Sequence, residues 1–215
     1  MVDIVENVLI TGITGRFGRE FVRQHAGKYN FIGISRHKGL DLGSGISELI
    51  DIDLAERNLS DLLLERFRAF PKINYVINAA ADTKFYVSRS SILCSSSDVE
   101  NQFWINVIVP SIVIAALFET QLKDRPVARN SVSVLNISSE SAYTVHPNSG
   151  QSFYAASKSA LNSLTLHLAQ EYSSYNMIVN GFAPGNFSDD ARCNQVVKAA
   201  EMILHSKESG RIYRM

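Results

Sequence analysis

Short runs of β-branched and other apolar residues alternate along the whole chain with longer stretches of helical periodicity. NVLIT (Asn7 to Thr11) is apolar at consecutive positions, as expected of a strand covered on both faces. A glycine-punctuated turn follows, and then RFGREFVRQHA with helical spacing. NFIGIS (Asn30 to Ser35) and ELIDID (Glu48 to Asp53) predict the second and third strands, RNLSDLLLERFRAF an amphipathic helix, and INYVINA (Ile73 to Ala79) the fourth strand. The polar, serine-rich DTKFYVSRSSILCSSSD predicts a loop or lid. A long helix is expected from about Val99 to Gln121, then a strand in SVSVLNIS, a helix through SFYAASKSAL, a strand in NMIVNGFA, a last helix in ARCNQVVKAAEMILHS and a closing strand in GRIYRM. Strand and helix in regular alternation predict a mostly parallel sheet with right-handed crossovers and helices on both faces. The expected fold class is therefore α/β, with one doubly wound, seven-stranded domain over residues 1–215.

Composition narrows the partners. Apolar residues make up 46% and charged residues 20%, and Lys plus Arg equal Asp plus Glu at 21 each. That balance gives no whole-molecule attraction to nucleic acid or an anionic membrane. The most apolar run, VIVPSIVIAALF (Val107 to Phe118), is shorter than the ~20 residues that span a bilayer and is expected inside the protein. MVDIVENVLITG carries acids where a secretory signal needs bases. Cys94 and Cys193 are too few for a disulfide framework and lack metal-ligand spacing, so no metal site is expected and a cytoplasmic setting fits.

The chemistry gathers at strand ends, where ligands of doubly wound sheets bind. The first strand ends in TGITGRFG, with Gly12, Gly15 and Gly18 between strand and helix. Glycines there permit a tight turn and let backbone amides approach a pyrophosphate at the helix N-terminus. The second strand ends in Ser35 and Arg36, followed by His37 and Lys38, where NAD-binding relatives of this topology carry an acid for the ribose 2′-hydroxyl. A guanidinium and a hydroxyl suit a 2′-phosphate, and Arg16 can reach it from the glycine turn, so NADP(H) is favoured over NAD(H). Tyr154 and Lys158 stand one helical turn apart and share a face. A phenol is a poor base at neutral pH, and the neighbouring cation together with the positive nicotinamide of an oxidised cofactor is expected to lower its pKa.

In order and spacing these pieces resemble the short-chain dehydrogenase/reductase family over nearly the whole chain. The resemblance implies a Rossmann domain in which Gly12, Thr14, Gly15, Arg16, Phe17, Gly18, Ser35 and Arg36 bind the cofactor. Asp53 matches the adenine-contacting acid, with Leu54 beside it, and Asn78, Ala79 and Ala80 match the segment closing the fourth strand. Pro184, Gly185 and Phe187 match the stretch that borders the nicotinamide. Ser139, Tyr154, Lys158 and Asn106 match the catalytic set. Tyr154 then exchanges a proton with the substrate oxygen, Ser139 bonds that oxygen, Lys158 also binds the nicotinamide ribose, and Asn106 holds a water leading from Lys158 to solvent. Ser138 and Ser141 are alternatives to Ser139, because the interval to Tyr154 is slightly longer than usual. Ser139 also fits a strand-end cap.

The implied activity is hydride transfer between NADP(H) and a small secondary alcohol or ketone. A non-catalytic NADP(H)-binding regulatory or assembly protein and a nucleotide-sugar epimerase or dehydratase are the alternatives. Gly12-x-x-Gly15-x-x-Gly18 follows extended or atypical members of the family more than compact ones. After Pro184-Gly185 the chain passes almost directly into its last helix, so the C-terminal substrate region is shortened and the substrate site open. His146 and His167 are not expected to be catalytic. Phe85, Tyr86 and Tyr143 are either pocket or core. A small-residue face (Ala155, Ala156, Ser159, Ala160, Ser163) beside the long apolar helix predicts a homodimer or homotetramer.

Overall fold

The computed structural model describes residues 5–36, 46–85, 96–124 and 132–215. Seven strands form one sheet in the order β3-β2-β1-β4-β5-β6-β7, and every adjacent pair is parallel. The strands are β1 (Glu6–Thr11), β2 (Tyr29–Ser35), β3 (Ile46–Asp51), β4 (Tyr75–Asn78), β5 (Val132–Ile137), β6 (Met177–Ala183) and β7 (Ile212–Arg214). The helices are α1 (Arg16–His25), α2 (Leu59–Ala69), a long α3 (Ser96–Leu122), α4 (Ser152–Glu171) and α5 (Asp190–Leu204). Strand order reverses beside β1, between β2 and β4, which opens the crevice where such sheets hold ligands.

Period-two alternation sends side chains into two cores, one on each face of the sheet. Leu9, Ile32, Val76, Val134 and Val179 enter the core shared with α2, α3 and the C-terminal half of α4. Val8, Ile10, Phe31, Ile77 and Leu135 enter the core built with Phe17 and Phe21 of α1 and Val196, Val197 and Ala200 of α5.

The α3 helix has the expected span to within a few residues but departs from expectation in form. It is 27 residues long and holds an 18-residue window of mean hydropathy 1.8, enough to cross a bilayer by length and composition alone. Here Val109, Val113, Ile114 and Leu117 are buried in the sheet-side core. It also widens into π-helix at Trp104–Ile108 and Phe118–Leu122. Pro110 explains the first widening. It has no N–H for the carbonyl four residues upstream, that of Asn106, and its ring would press on that carbonyl in a regular helix. The Val109 N–H turns instead to the Trp104 carbonyl.

Two glycines of the first turn are there for space. Gly12 has φ +70°, and a Cβ on it would lie 2.7 Å from the backbone of Ala80. A Cβ on Gly18 would lie 2.5 Å from the Ile13 Cα. The first close approach seats the turn on the end of β4, and the second seats α1 on the turn itself.

Candidate active site

The carboxyl ends of β1, β2, β4, β5 and β6 open onto one cleft of about 1210 Å³. Its floor at one end is the glycine turn. The Gly15 N–H donates to the Gly12 carbonyl at 2.9 Å, and Gly15 caps α1 without a side-chain bond or an acid in the first turn. The first-turn amides therefore remain for an anion. A Cβ on Gly15 would meet only the Gly12 oxygen within 4 Å, so a side chain there would project into the space a diphosphate needs. Thr14, Arg16 and Phe17 complete this end. Gly18 faces Ile13 instead and acts through packing.

Ser35, Arg36, Asp53 and Leu54 line the adenosine end. Asp53 accepts from the Ala55 N–H at 3.0 Å through Oδ1, and its Oδ2 stands 3.7 Å from the Arg36 guanidinium. Arg16, the second cation expected for a 2′-phosphate, donates to Asp190 at 2.8 Å across the cleft mouth. Both arginines thus have carboxylate partners, a feature the sequence did not reveal. His37 and Lys38 lie outside the described residues.

β4 delivers Ala79 and Ala80 to the cleft, whereas Asn78 turns inward. Its Nδ2 donates to Asn136 Oδ1 at 2.9 Å, and Asn136 in turn donates to Thr165 Oγ1 at 2.9 Å. This buried chain ties the end of β4 to β5 and to α4. Asn78 therefore aligns the strand end on which the alanines sit, and does not face the cleft among the described residues.

The opposite end of the cleft holds the reactive side chains. β5 ends at Ile137, and Ser138 to Ala142 make a short helical turn that faces the start of α4. Ser139 caps this turn by accepting the Ser141 N–H at 3.1 Å, and its hydroxyl is near enough to Tyr154 to draw the phenol's pKa down. The other two serines are engaged elsewhere: Ser138 donates to the Lys158 carbonyl at 3.3 Å, and Ser141 to Gln151 Oε1 at 2.7 Å. Among the three alternatives, Ser139 is the one at the phenol.

Lys158 is fully buried and donates to the Ile137 carbonyl at 2.8 Å. Its Nζ lies 5.9 Å from the centre of the Tyr154 ring. Burial pulls the Lys158 pKa down to about 8. The same burial pushes Tyr154 above its ordinary value, partly offset by the nearby Ser139 hydroxyl. Lys158 by itself does not lower the phenol, because its ammonium is directed at a carbonyl and not at the hydroxyl, and burial sets the direction.

Asn106 is corrected in part. It is wholly buried, its Nδ2 donates to the Asp82 carbonyl at 2.9 Å and to Ser157 Oγ at 3.0 Å, and its Oδ1 accepts the Asp82 N–H at 2.8 Å. With both amide N–H groups committed, the side chain braces α4 and the turn after β4.

The turn Asp82 to Phe85, the start of the expected loop or lid, lines the cleft. Gln102 donates to the Lys84 carbonyl at 2.8 Å, and Lys84 to Asp98 at 2.7 Å. So anchored, Phe85 sets its ring edge-on to Tyr154 with centroids 5.5 Å apart. It is pocket rather than core. Tyr143 lies instead against Arg214, whose guanidinium is 4.4 Å from its ring centre. His146 borders the cleft, His167 is exposed on α4, and Cys193 is a buried free thiol. Tyr86, Cys94 and most of the serine-rich segment lie outside the described residues.

A glycine turn lies under one end of the crevice, and Ser139, Tyr154 and Lys158 gather at the other. The family model described as short chain dehydrogenase matches residues 6–200, and the chain belongs to that family. It is 29% identical over 153 residues to Protein FixR of Bradyrhizobium diazoefficiens, covering 68% of this chain and 52% of that protein. Over 134 residues it is 31% identical to L-xylulose reductase of Caenorhabditis elegans, covering 62% and 48%. Over 183 residues it is 26% identical to 3-oxoacyl-[acyl-carrier-protein] reductase FabG of Aquifex aeolicus, covering 85% and 64%. The matched region thus spans about half to two thirds of the length of these relatives. An oxidoreductase of the family from Brucella ovis, solved with a partially ordered NAD, shares the fold at TM-score 0.82 and 22% identity, covering 99% of this chain and 100% of that one. ElxO with NADP bound does so at TM-score 0.80 and 18% identity, covering 98% and 97%.

Proposed function

We propose that the protein is an NADP(H)-dependent oxidoreductase that interconverts a small ketone and its secondary alcohol. The observation that carries this reading is the gathering of Ser139, Tyr154 and Lys158 in the same cleft as the glycine turn. A binding protein without turnover has no need of a proton donor there.

The nicotinamide, when bound, supplies or takes up the hydride. Tyr154 gives its proton to the carbonyl oxygen in reduction or takes it from the alcohol in oxidation. Ser139 donates to that oxygen as negative charge grows on it. Lys158, with a pKa near 8, is mostly an ammonium at neutral pH and favours phenolate once the proton has left. Because burial raises the phenol, Tyr154 holds its proton at neutral pH, and reduction is the direction the resting site is set for. We place the water that returns the proton at the main-chain carbonyl of Asn106, to which Pro110 has no N–H to donate.

The absence of an acid at the end of β2 supports NADP(H). Arg36 and Arg16 are half-exposed or more in their ion pairs, and such pairs contribute only about 0–1 kcal/mol, so a phosphate dianion displaces the carboxylates readily. NADPH is expected to bind at least tenfold tighter than NADH, and Arg36→Ala to remove most of that difference while changing NADH affinity less than about threefold. Equal or tighter NADH binding to the unmodified protein, by fluorescence titration, refutes the preference.

Both α3 and α4 leave apolar side chains in solvent, with Ile108 42% and Leu166 45% exposed. A homodimer covering these helices is expected, and sedimentation showing only monomer at micromolar concentration overturns it.

A further inference from the structure

The turn between β3 and α2 carries Asp53 and Leu54 to the adenosine end of the cleft, and no strand or helix ladder holds it there. Within the turn, Asp53 accepts the Ala55 N–H through Oδ1 at 3.0 Å, and its main-chain carbonyl accepts the Glu56 N–H at 3.1 Å. The Leu54 carbonyl instead leaves the turn for α3, where it accepts the indole N–H of Trp104 at 2.8 Å. Trp104 opens the wide π-helical stretch at Trp104–Ile108 and packs against the core shared by the sheet, α2 and α3. The Arg57 guanidinium lies over its ring, 4.3 Å from the centre. The ring is thus fixed between core and cation, and its one polar atom is committed to the cleft wall.

We infer that Trp104 is a positioning residue for the adenosine half of the cofactor, holding the Asp53–Leu54 wall in its binding geometry through the Leu54 carbonyl. Trp104 does not itself line the cleft, so its effect on a nucleotide passes through Leu54. Ordering an irregular turn costs entropy, and a wall fixed beforehand spares the ligand that cost. Without the indole donor, the carbonyl of the buried Leu54 loses its partner, and the turn must shift to reach water. The same wide stretch holds Asn106, which donates to Ser157 of α4 at 3.0 Å. Distortion of the helix itself would therefore reach the catalytic end, whereas loss of this one hydrogen bond should not. The inference rests on reading the cleft as a dinucleotide site, and the experiment separates the two.

Trp104 is the chain's single tryptophan, so its indole N–H gives a single resonance. The probes are 2′,5′-ADP, which fills only the adenosine half, and nicotinamide mononucleotide, which fills only the other. In the unmodified protein the indole resonance should move with the first and stay in place with the second. Trp104→Phe keeps a ring beneath Arg57 but removes the donor. It should raise the Kd for 2′,5′-ADP and the KM for NADPH by about three- to tenfold, the range of one net hydrogen bond, and leave the Kd for the mononucleotide and kcat within about twofold. A 2′,5′-ADP affinity unchanged by the substitution, or a mononucleotide affinity that weakens in parallel, overturns the inference. So does an indole resonance in the unmodified protein that ignores 2′,5′-ADP, whether or not the variant folds. Unmodified protein that binds neither probe nor NADPH refutes the dinucleotide site and the inference with it. Turnover of no ketone by protein that binds NADPH refutes the oxidoreductase and leaves the role of Trp104 standing.

Discussion

Tyr154→Phe is expected to lower kcat for ketone reduction by about three orders of magnitude while leaving NADPH affinity within about threefold. Positioned proton donors contribute roughly 10²–10⁴ to rate, and this substitution removes the donor without its ring. The ring is what Phe85 packs against at 5.5 Å, so the wall of the site keeps its shape. Ser139 retains the Ser141 N–H at 3.1 Å, so no buried hydroxyl is stranded, and the melting temperature should change little. Burial raises the phenol pKa, so reduction by the unmodified enzyme should not lose its donor as pH climbs through neutrality. Oxidation, which needs the phenolate to accept a proton, should speed up with increasing pH. Steady-state rates beside a fluorescence titration of NADPH decide the matter. A variant with normal kcat would show that the proton comes from elsewhere and would leave the cleft as a binding site only.

How far the sequence foretold this site can be followed along α4. The spacing of Tyr154 and Lys158 placed both on one face, and the helix, its strand neighbours and the cleft formed around them as the alternation of apolar runs implied. Local periodicity suffices for that, because a buried parallel strand and an amphipathic helix each leave a signature in adjacent residues. The polar partners left none. Nothing near Asn106 in sequence indicates that Asp82 and Ser157 will take its amide, and the ion pair of Arg16 with Asp190 joins residues 174 apart. The widening at Trp104–Ile108 was legible in principle from Pro110, whose missing N–H falls four residues after Asn106. The acidity of Tyr154 is legible only in part, for a different reason. Proximity of a cation can be read from spacing, but desolvation depends on what the rest of the fold piles over the pair, and here it wins.

Lys158→Met should carry two opposite effects: turnover falls by at least a hundredfold, and the protein becomes more stable at neutral pH. The amine is buried with a pKa of about 8 against an ordinary 10.5. A lowered amine pKa means that protonation costs the folded state more than the unfolded one. That cost is complete below about pH 8 and vanishes as pH rises past the ordinary amine value, so the unmodified protein gains stability across this window. The shift corresponds to about 3 kcal/mol. Methionine removes it but orphans the Ile137 carbonyl, which Lys158 now serves at 2.8 Å, returning about 1–2 kcal/mol. A net gain on the order of 1 kcal/mol remains, or roughly 2–4 °C for a chain of this size. The gap between variant and parent should be widest at pH 7 and should close by pH 10, a pH dependence that a packing effect of methionine would not produce. Melting curves at the two pH values measure it. A variant less stable than the parent at pH 7, or a gap that ignores pH, would mean that the ammonium is well solvated where it stands. The loss of rate follows from the same burial: a cation kept in a dry site at a cost to the fold favours the phenolate that forms beside it more strongly than a hydrated one could.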